Sequence, residues 1–397
     1  MAPSAAVTIQ SGRVAVAKTS KMKVAFVGAG YTNATRKLER PETEIAIEAA
    51  RMAIADAGID PALVDGINVQ VHHYPPPETQ VIAAGAGMTN VRWNRDGGLG
   101  ILPAGIAADA IDRGEANCIL VIKVMNTIAP VSTPQIDPTS GGVAGPTQFE
   151  VPYGLGYSMQ RVGLQARAYM HRYSITREQL AWVPITERQH ALMNPWAVMK
   201  NPLTMEDYMN ARWIAEPVNL FDCDMPVNGA FAFLLAREDI AKDLKWKPVY
   251  LKSWAGNQQN IGLQDHLWAE PLSGISPIGE EIYRDAQMKP EEMDLWFMYD
   301  GFSYFVPMWM ENLGLVPRGE AGNYVQGGTN IRFDGRHPVN THGGQLSEGR
   351  LHGHGHVLEA IQQLRGNAGP RQSKYNNTAI ISSVFPHTGA AGILSVE

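Results

Sequence analysis

The chain predicts an α/β fold built from two copies of one unit. Three observations carry that expectation. Short apolar strands alternate with helical stretches rather than with further strands, which is the rhythm of strand–helix crossovers. Two separate patterns recur in the same order in both halves. Each half also has a pair of adjacent glycines ahead of a helix, Gly97 and Gly98 in one and Gly343 and Gly344 in the other.

The first strand is read from Lys23 to Gly30, KVAFVGAG, where β-branched and apolar residues run into glycines. A helix follows in PETEIAIEAARMAIADAG: Ile47, Ile54 and Ala57 recur at helical spacing beside Ala50, with Thr43 as its cap and Gly58 as its stop. The short strand INVQV comes next. The stretch AGIDPALVDGINVQ then lines up with AQMKPEEMDLWFMY, so that Ala57, Pro61 and Asp65 match Ala286, Pro290 and Asp294, and Gln70 falls opposite Tyr299.

The second pattern is paired glycines, a helix, a turn ending in Arg-Gly and an apolar strand. GGLGILPAGIAADAIDRGEANCILVI is the first copy; GGQLSEGRLHGHGHVLEAIQQLRG, with NNTAIISSV after a loop, is the second. The expected organisation is an arm over 1–22, a repeat over 23–245 and a second repeat over 246–397, joined near KDLKWKPVYLKS. From about 125 to 222 the chain is rich in Pro, Met, Tyr and Trp, with helical pieces such as MQRVGLQARAYMHRY. This inserted region is expected to shape a pocket or to serve as a dimer contact.

Of 397 residues 45% are hydrophobic, enough for a core without staples, and the net charge of −6 with scattered basic residues gives no footprint for nucleic acid or an anionic membrane. The arm lacks the apolar run of a signal peptide or spanning helix, and Cys118 and Cys223 form no CxxC pair, so a reducing cytoplasm is expected. GAGYTN after the first strand lacks the third glycine of a dinucleotide loop and reads as a tight turn.

Three motifs resemble the thiolase superfamily, in its sterol-carrier or lipid-transfer branch. VNTHGGQLSEGRLHGHGH resembles the segment in which Asn-x-x-Gly-Gly precedes Gly-His-Pro, YDGF at Tyr299–Phe302 resembles Asn-Glu-Ala-Phe, and HTGAAG resembles the glycine loop after the family's second reactive cysteine. The resemblance covers most of the chain from Lys23 onward and implies a duplicated, five-layered αβαβα fold with two mixed sheets. Its catalytic residues are missing. The nucleophile would fall near Gly97, in NRDGGLG; Arg350 stands at the histidine of Gly-His-Pro; Pro386 takes the place of the second cysteine, with His387 beside it. Cys118 lies in an apolar strand and Cys223 between two aspartates, which disfavour its thiolate.

Without a nucleophile, such a scaffold retains the capacity to stabilise a thioester enolate, which suffices for retro-aldol cleavage. Some relatives in this branch are aldolases of steroid side-chain breakdown that work with a small OB-fold and zinc-ribbon protein. The resemblance therefore implies a carbon–carbon lyase for a bulky β-hydroxyacyl-CoA, with coenzyme A entering as part of the substrate and no tightly bound cofactor. A homodimer, or a heterotetramer with such a partner, is also implied. The alternatives are a thiolase-like acyltransferase and a non-catalytic acyl-CoA-binding scaffold.

Tyr299, at the end of a predicted strand, is the first candidate for proton transfer, with Arg350 as the cation that eases its deprotonation. In aldolase-like relatives a tyrosine often stands at the Arg350 position, which tells against a simple two-tyrosine mechanism. The run His352, His354, His356 admits a metal reading, but its glycines and the following VLEAIQQL favour a helix N-terminus, with His352 as oxyanion donor or acid and no metal. His342 and His387 lie in glycine-flanked loops, and Asp300 is expected to orient one of them.

Overall fold

The computed structural model describes residues 23–36, 40–70, 79–125, 148, 151–155, 158–256, 275–385 and 389–397. The expected N-terminal arm, Pro386 and the candidate His387 lie outside the described residues.

The first part of the chain runs β1 (Val24–Tyr31), α1 (Glu42–Ala57), β2 (Gly66–Gln70), α2 (Thr79–Gly85), β3 (Trp93–Asp96), α3 (Leu102–Asp112) and β4 (Cys118–Met125). Helices α4 (Ser158–Tyr173), α5 (Arg177–Leu180), α6 (Trp182–Met193) and α7 (Met205–Met209) follow, then β5 (Trp213–Ala215), β6 (Val218–Asn219), β7 (Gly229–Arg237) and α8 (Glu238–Ala241). The rest runs β8 (Val249–Gly256), α9 (Pro277–Ala286), β9 (Leu295–Phe297), α10 (Phe305–Asn312), α11 (Ala321–Val325), α12 (His354–Leu364), β10 (Thr378–Ser383) and β11 (Ala390–Ser395).

The expected thiolase-like layers are present, but the two expected mixed sheets are joined edge to edge into one continuous sheet among the described residues. β3-β2-β4-β7-β1 continues through β1 into β8-β11-β10-β9, giving nine strands in all, while β5 and β6 pair separately. The seam is narrow: Ala25 faces Tyr250 and Phe26 faces Val249. α3 and α12 lie between the two sheets, in a core holding Phe26, Ile119 and Phe233 from one sheet and Phe297, Ile381 and Leu394 from the other. α1 covers the outer face of the first sheet with Ile45, Ala49 and Ala53. α9 and α10 cover the outer face of the second with Ile282 and Trp309.

The repeated residues do the same work in both halves. Asp65 accepts the backbone N–H groups of Asn117 (2.7 Å) and Cys118 (2.9 Å), fixing the start of β4. Asp294 accepts those of Asn377 (2.8 Å) and Thr378 (3.3 Å), fixing the start of β10. Pro61 and Pro290 each open a short 3₁₀ turn ahead of these aspartates.

Two local expectations are corrected. Thr43 does not cap α1: the helix begins at Glu42 after Pro41, with no side-chain cap, and its exposed amides are met by the acidic first turn of Glu42 and Glu44. The Gly28–Gly30 pair lies within β1 rather than ending it, and a Cβ at either position would approach the α1 carbonyls of Ala53 (2.2 Å) or Ala49 (2.3 Å), so these glycines permit close helix–strand packing. Gly58 does stop the helix, left-handed at φ 69°.

The described part of the inserted region packs within this chain. Val162, Tyr169, Ile175, Leu180 and Val183 join the core beneath Trp296, Met298 and Tyr299, which brings α6 against the loop after β9.

Candidate functional site

The glycine turns converge at the ends of α3 and α12. A Cβ on Gly100 would meet Ser383 Oγ at 2.1 Å, and one on Gly353 would lie 3.2 Å from Gly100 Cα and 3.3 Å from the Tyr299 ring. Ser383 Oγ accepts the N–H of Ile101 (2.8 Å), tying the entry of α3 to β10. These contacts bring the Gly97–Gly100 turn, Tyr299 and the Gly349–Gly353 loop together.

The paired glycines of both halves have positive φ, 89° and 97° at Gly97 and Gly98, 103° and 59° at Gly343 and Gly344. Their surroundings differ. Where the nucleophile would stand, a Cβ on Gly97 meets nothing within 4 Å among the described residues, whereas one on Gly344 would lie 2.1 Å from Asp300 Oδ2 and 2.6 Å from Glu187 Oε2. The chain continues from Gly344 into a π-helical turn over Gly344–Glu348, a feature often found at functional sites.

Asp300 is fully buried at the centre of this second turn. It accepts the Leu346 N–H at 3.1 Å and faces His356 Nε2 at 3.0 Å and Gln345 Nε2 at 3.4 Å. Asp300 therefore orients His356, where the sequence reading expected His342 or His387. Glu187, from α6, accepts from Asn340 Nδ2 (2.7 Å), while burial and the charge of Asp300 raise its pKa well above the carboxylate range. Glu187 thus favours its protonated form beside Asp300.

A second buried acid lies beyond. Glu348 accepts from Asn194 Nδ2 (2.9 Å), and burial pushes its pKa up to about 8. His342 stands 3.7 Å from it and edge-on to His356 at 4.8 Å, kept neutral first by burial and then by the neighbouring imidazole.

Tyr299 lies two residues beyond β9, its N–H on Ser382 Oγ (2.9 Å) and its ring stacked against His356 at 6.4 Å. Burial first, then Asp224, raises its phenol pKa, opposed by Gln345 and Arg350. Arg350 is engaged elsewhere, with Nη1 3.4 Å from Asp224 Oδ1. Arg350 lowers the phenol pKa in the expected direction, but burial outweighs it, so the hydroxyl stands as a proton donor.

The histidine run separates. α12 begins at His354 with Gly353 at its cap, so His352 lies ahead of the helix in a turn at φ 51°, half-buried, and does not share a helical face with His356. His354 is buried against Phe233 (5.5 Å), and burial lowers its pKa to about 3. Among the described residues no group of three His, Cys, Asp or Glu side chains is placed to hold a metal ion.

Both cysteines are free, and both thiols have raised pKa values, Cys118 by burial and then Asp65, Cys223 by burial and then Asp224 and Asp222. The structure brings Tyr299, Asp300 and Arg350 into one neighbourhood. Sequence reading missed Glu187, Asn340 and Glu348, and also Lys123, a buried amine in β4. Lys123 had a visible signal: it is the one charge in CILVIKVM. Glu187 had none, since only the packing of α6 brings it to Asp300.

Two sheets sandwiching α3 and α12, with glycine turns meeting at their ends and no competent thiol among the described residues, define a thiolase-type enzyme without the covalent step. A family model described as thiolase C-terminal domain-like matches residues 265–393. The chain is 31% identical to a steroid side-chain-cleaving aldolase of Thermomonospora curvata, over 87% of this chain and 90% of that protein. It is also 31% identical to the 17-hydroxy-3-oxo-4-pregnene-20-carboxyl-CoA lyase of Mycobacterium tuberculosis, over 87% and 92% respectively. Among solved structures, the Ltp2-ChsH2(DUF35) aldolase superposes with a TM-score of 0.83 at 30% identity, covering 94% of this chain and 97% of that one. The chain belongs to the thiolase superfamily, in the branch of the steroid side-chain-cleaving aldolases.

Proposed function

We propose that the protein is a carbon–carbon lyase that cleaves a bulky β-hydroxyacyl-CoA by retro-aldol chemistry, releasing a ketone or aldehyde and a shortened acyl-CoA. The observation that carries this reading is the bare turn at Gly97 beside an intact cluster of proton-holding groups, Tyr299, Glu187 and Glu348. The β-hydroxyl loses its proton, the bond between the α- and β-carbons breaks, and its electron pair becomes the thioester enolate. Tyr299 donates its hydroxyl to the enolate oxygen, where a preorganised donor acts most strongly. Asp300 and its partner Glu187 hold His356 behind that phenol, Arg350 supplies positive charge, and His352 and His387 serve as further donors. Coenzyme A enters only within the substrate.

Two repeats, 23–245 and 246–397, form this site; the equivalent aspartates and proline turns support the division. The protein is read as a homodimer that assembles with a small OB-fold, zinc-ribbon protein, a reading supported by the relative solved as the Ltp2-ChsH2(DUF35) aldolase. No helix among the described residues is long and apolar enough to cross a membrane. A cytoplasmic setting suits the two free thiols.

The test is to incubate the purified chain, alone and with its OB-fold partner, with a tertiary β-hydroxyacyl-CoA. Ketone release is the expected result; an acyl-enzyme adduct by intact mass would sink the lyase reading. Tyr299→Phe should lower kcat by about 10²–10³-fold, the usual loss for one oxyanion donor, and an unchanged rate would remove Tyr299 from the mechanism.

A further inference from the structure

Retro-aldol cleavage needs a base for the β-hydroxyl, and the groups around Tyr299 are poorly suited to the task. The phenol keeps its proton, as do Glu187 and Glu348, while His342 is held far below the usual imidazole range and is a weak base. Asp300 is occupied by the Leu346 N–H and His356.

Across the same glycine turns lies a set of polar groups that the site described so far does not use. Lys123 is fully buried in β4, and its Nζ has no hydrogen-bond partner among the described residues. On the neighbouring parallel strand, Gln70 stands opposite Lys123 and Asn68 opposite Val121, so all three polar side chains share one face. The apolar neighbours on that face, Val121 and Met125, belong to the core between the two sheets, which places Lys123 on the side of α3 and α12. Asn68 is also fully buried, and neither its Nδ2 nor its Oδ1 has a partner among the described residues; Gln70 Oε1 lacks one too.

The paired-glycine turn is anchored directly to this strand, Gly97 N–H donating to Val69 O at 3.3 Å. Buried donors and acceptors left without partners are destabilising, so a group of them beside the Gly97 turn is a site awaiting polar atoms. We infer that Lys123 is the general base of the reaction: its ε-amine accepts the proton of the substrate's β-hydroxyl, while the amides of Asn68 and Gln70 hold that end of the substrate.

This inference rests on the lyase reading. The hydroxyl O–H bond breaks as the N–H bond forms, the β-carbon becomes a carbonyl, and the bond to the α-carbon breaks to give the enolate. The proton then passes from the ammonium to the α-carbon, so the amine is regenerated and no other reactant is consumed. Burial, followed by the positive charge of Arg350 and opposed by Glu42, lowers the Lys123 pKa to about 7. Among the described residues, these two and His354 of α12 are the ionisable groups that interact with it. A base matched to neutral pH is the most effective one there.

The experiment is a pH profile of kcat for ketone release by the full chain with its OB-fold partner, for the natural protein and for Lys123→Met. The expected result is an acid limb near pH 7 in the natural protein and, in a Lys123→Met variant with unchanged circular dichroism, a rate about 10²–10⁴-fold lower with that limb gone. Added ethylamine should restore part of the rate to Lys123→Ala, which a structural role would not allow. If the natural protein releases ketone and Lys123→Met matches it within about threefold with the limb intact, the assignment falls and the lyase reading stands. Absence of ketone from the natural protein overturns both. Should the variants fail to fold, the natural profile decides: a rate independent of pH from about 5.5 to 8 overturns the assignment, and the acid limb supports it.

Discussion

The two paired-glycine turns share a backbone and differ in everything around it. Gly97–Gly98 and Gly343–Gly344 all have positive φ, and each pair precedes a helix of the central layer. In the first turn Gly98 packs against Pro103 while Gly97 meets nothing among the described residues, whereas the second turn is packed against Asp300, Glu187 and Ala191 at both glycines. One backbone conformation therefore carries two different surroundings, and the second turn seats a buried proton-holding cluster. Conformation and chemistry are separable in this fold, and the separation is open to test.

The largest expected effect comes from adding one carbon to each turn. At Gly344 a methyl group would overlap Asp300 Oδ2 at 2.1 Å, adding overpacking of about 1–3 kcal/mol to a left-handed cost of about 1–2 kcal/mol. Gly344→Ala should lose about 2–5 kcal/mol in urea unfolding and most of its activity. Gly97→Ala carries only the left-handed cost, about 1–2 kcal/mol. Equal losses at the two positions would show that the turns are not built differently.

The same contrast marks what was legible in the sequence. Gly97, Gly343, Asp65 and Asp294 were visible because turn geometry and strand starts select residue types that recur at fixed order in both halves. The thiolase-like fold followed from them. Tyr299 and Asp300 were visible through the YDGF loop. Glu187 was not, because its role arises from α6 packing across the loop after β9, a contact more than a hundred positions away in the chain. The helix N-terminus expected at the histidine run was visible through its glycines: Gly353 in the left-handed region starts α12 at His354, with His352 in the turn ahead of it.

A smaller effect separates the crowded turn by pH. Glu348 has a folded pKa near 8, above its unfolded value, so the folded state binds the additional proton between them. Its contribution to stability is complete below about pH 4.5 and is lost as pH rises through 8. Asp224, near 6, acts in the same direction, while Lys123 opposes it only above its own pKa near 7. The Glu348 contribution should therefore fall between pH 5 and 7 by up to about 1.4 kcal/mol per pH unit, while the buried His190, His342 and His354, whose pKa values burial lowers, act in the opposite direction below about pH 6.5. Glu348→Gln keeps an acceptor for Asn194 and removes the titration, so stability in urea should fall less, or rise more, from pH 5 to pH 7 than in the natural protein. A slope as steep as in the natural protein would mean that Glu348 is already ionised.

The smallest expected effect bears on the bare turn. Cys223 lies near the site, its Sγ 3.5 Å from Asn219 O, with Asp224 beside it in the chain paired to Arg350. It is the one thiol near enough to replace the missing nucleophile; Cys118 sits at the far end of β4, fully buried. Burial and two aspartates raise the Cys223 pKa, so little thiolate forms at neutral pH. Cys223→Ala removes a weak hydrogen bond and one sulfur from a half-buried position, and the rate of ketone release should stay within about twofold. If that variant instead lost activity, and the natural protein carried an acyl group on Cys223 by peptide mass mapping, the empty space at Gly97 would mark a nucleophile that had moved to the loop before β7.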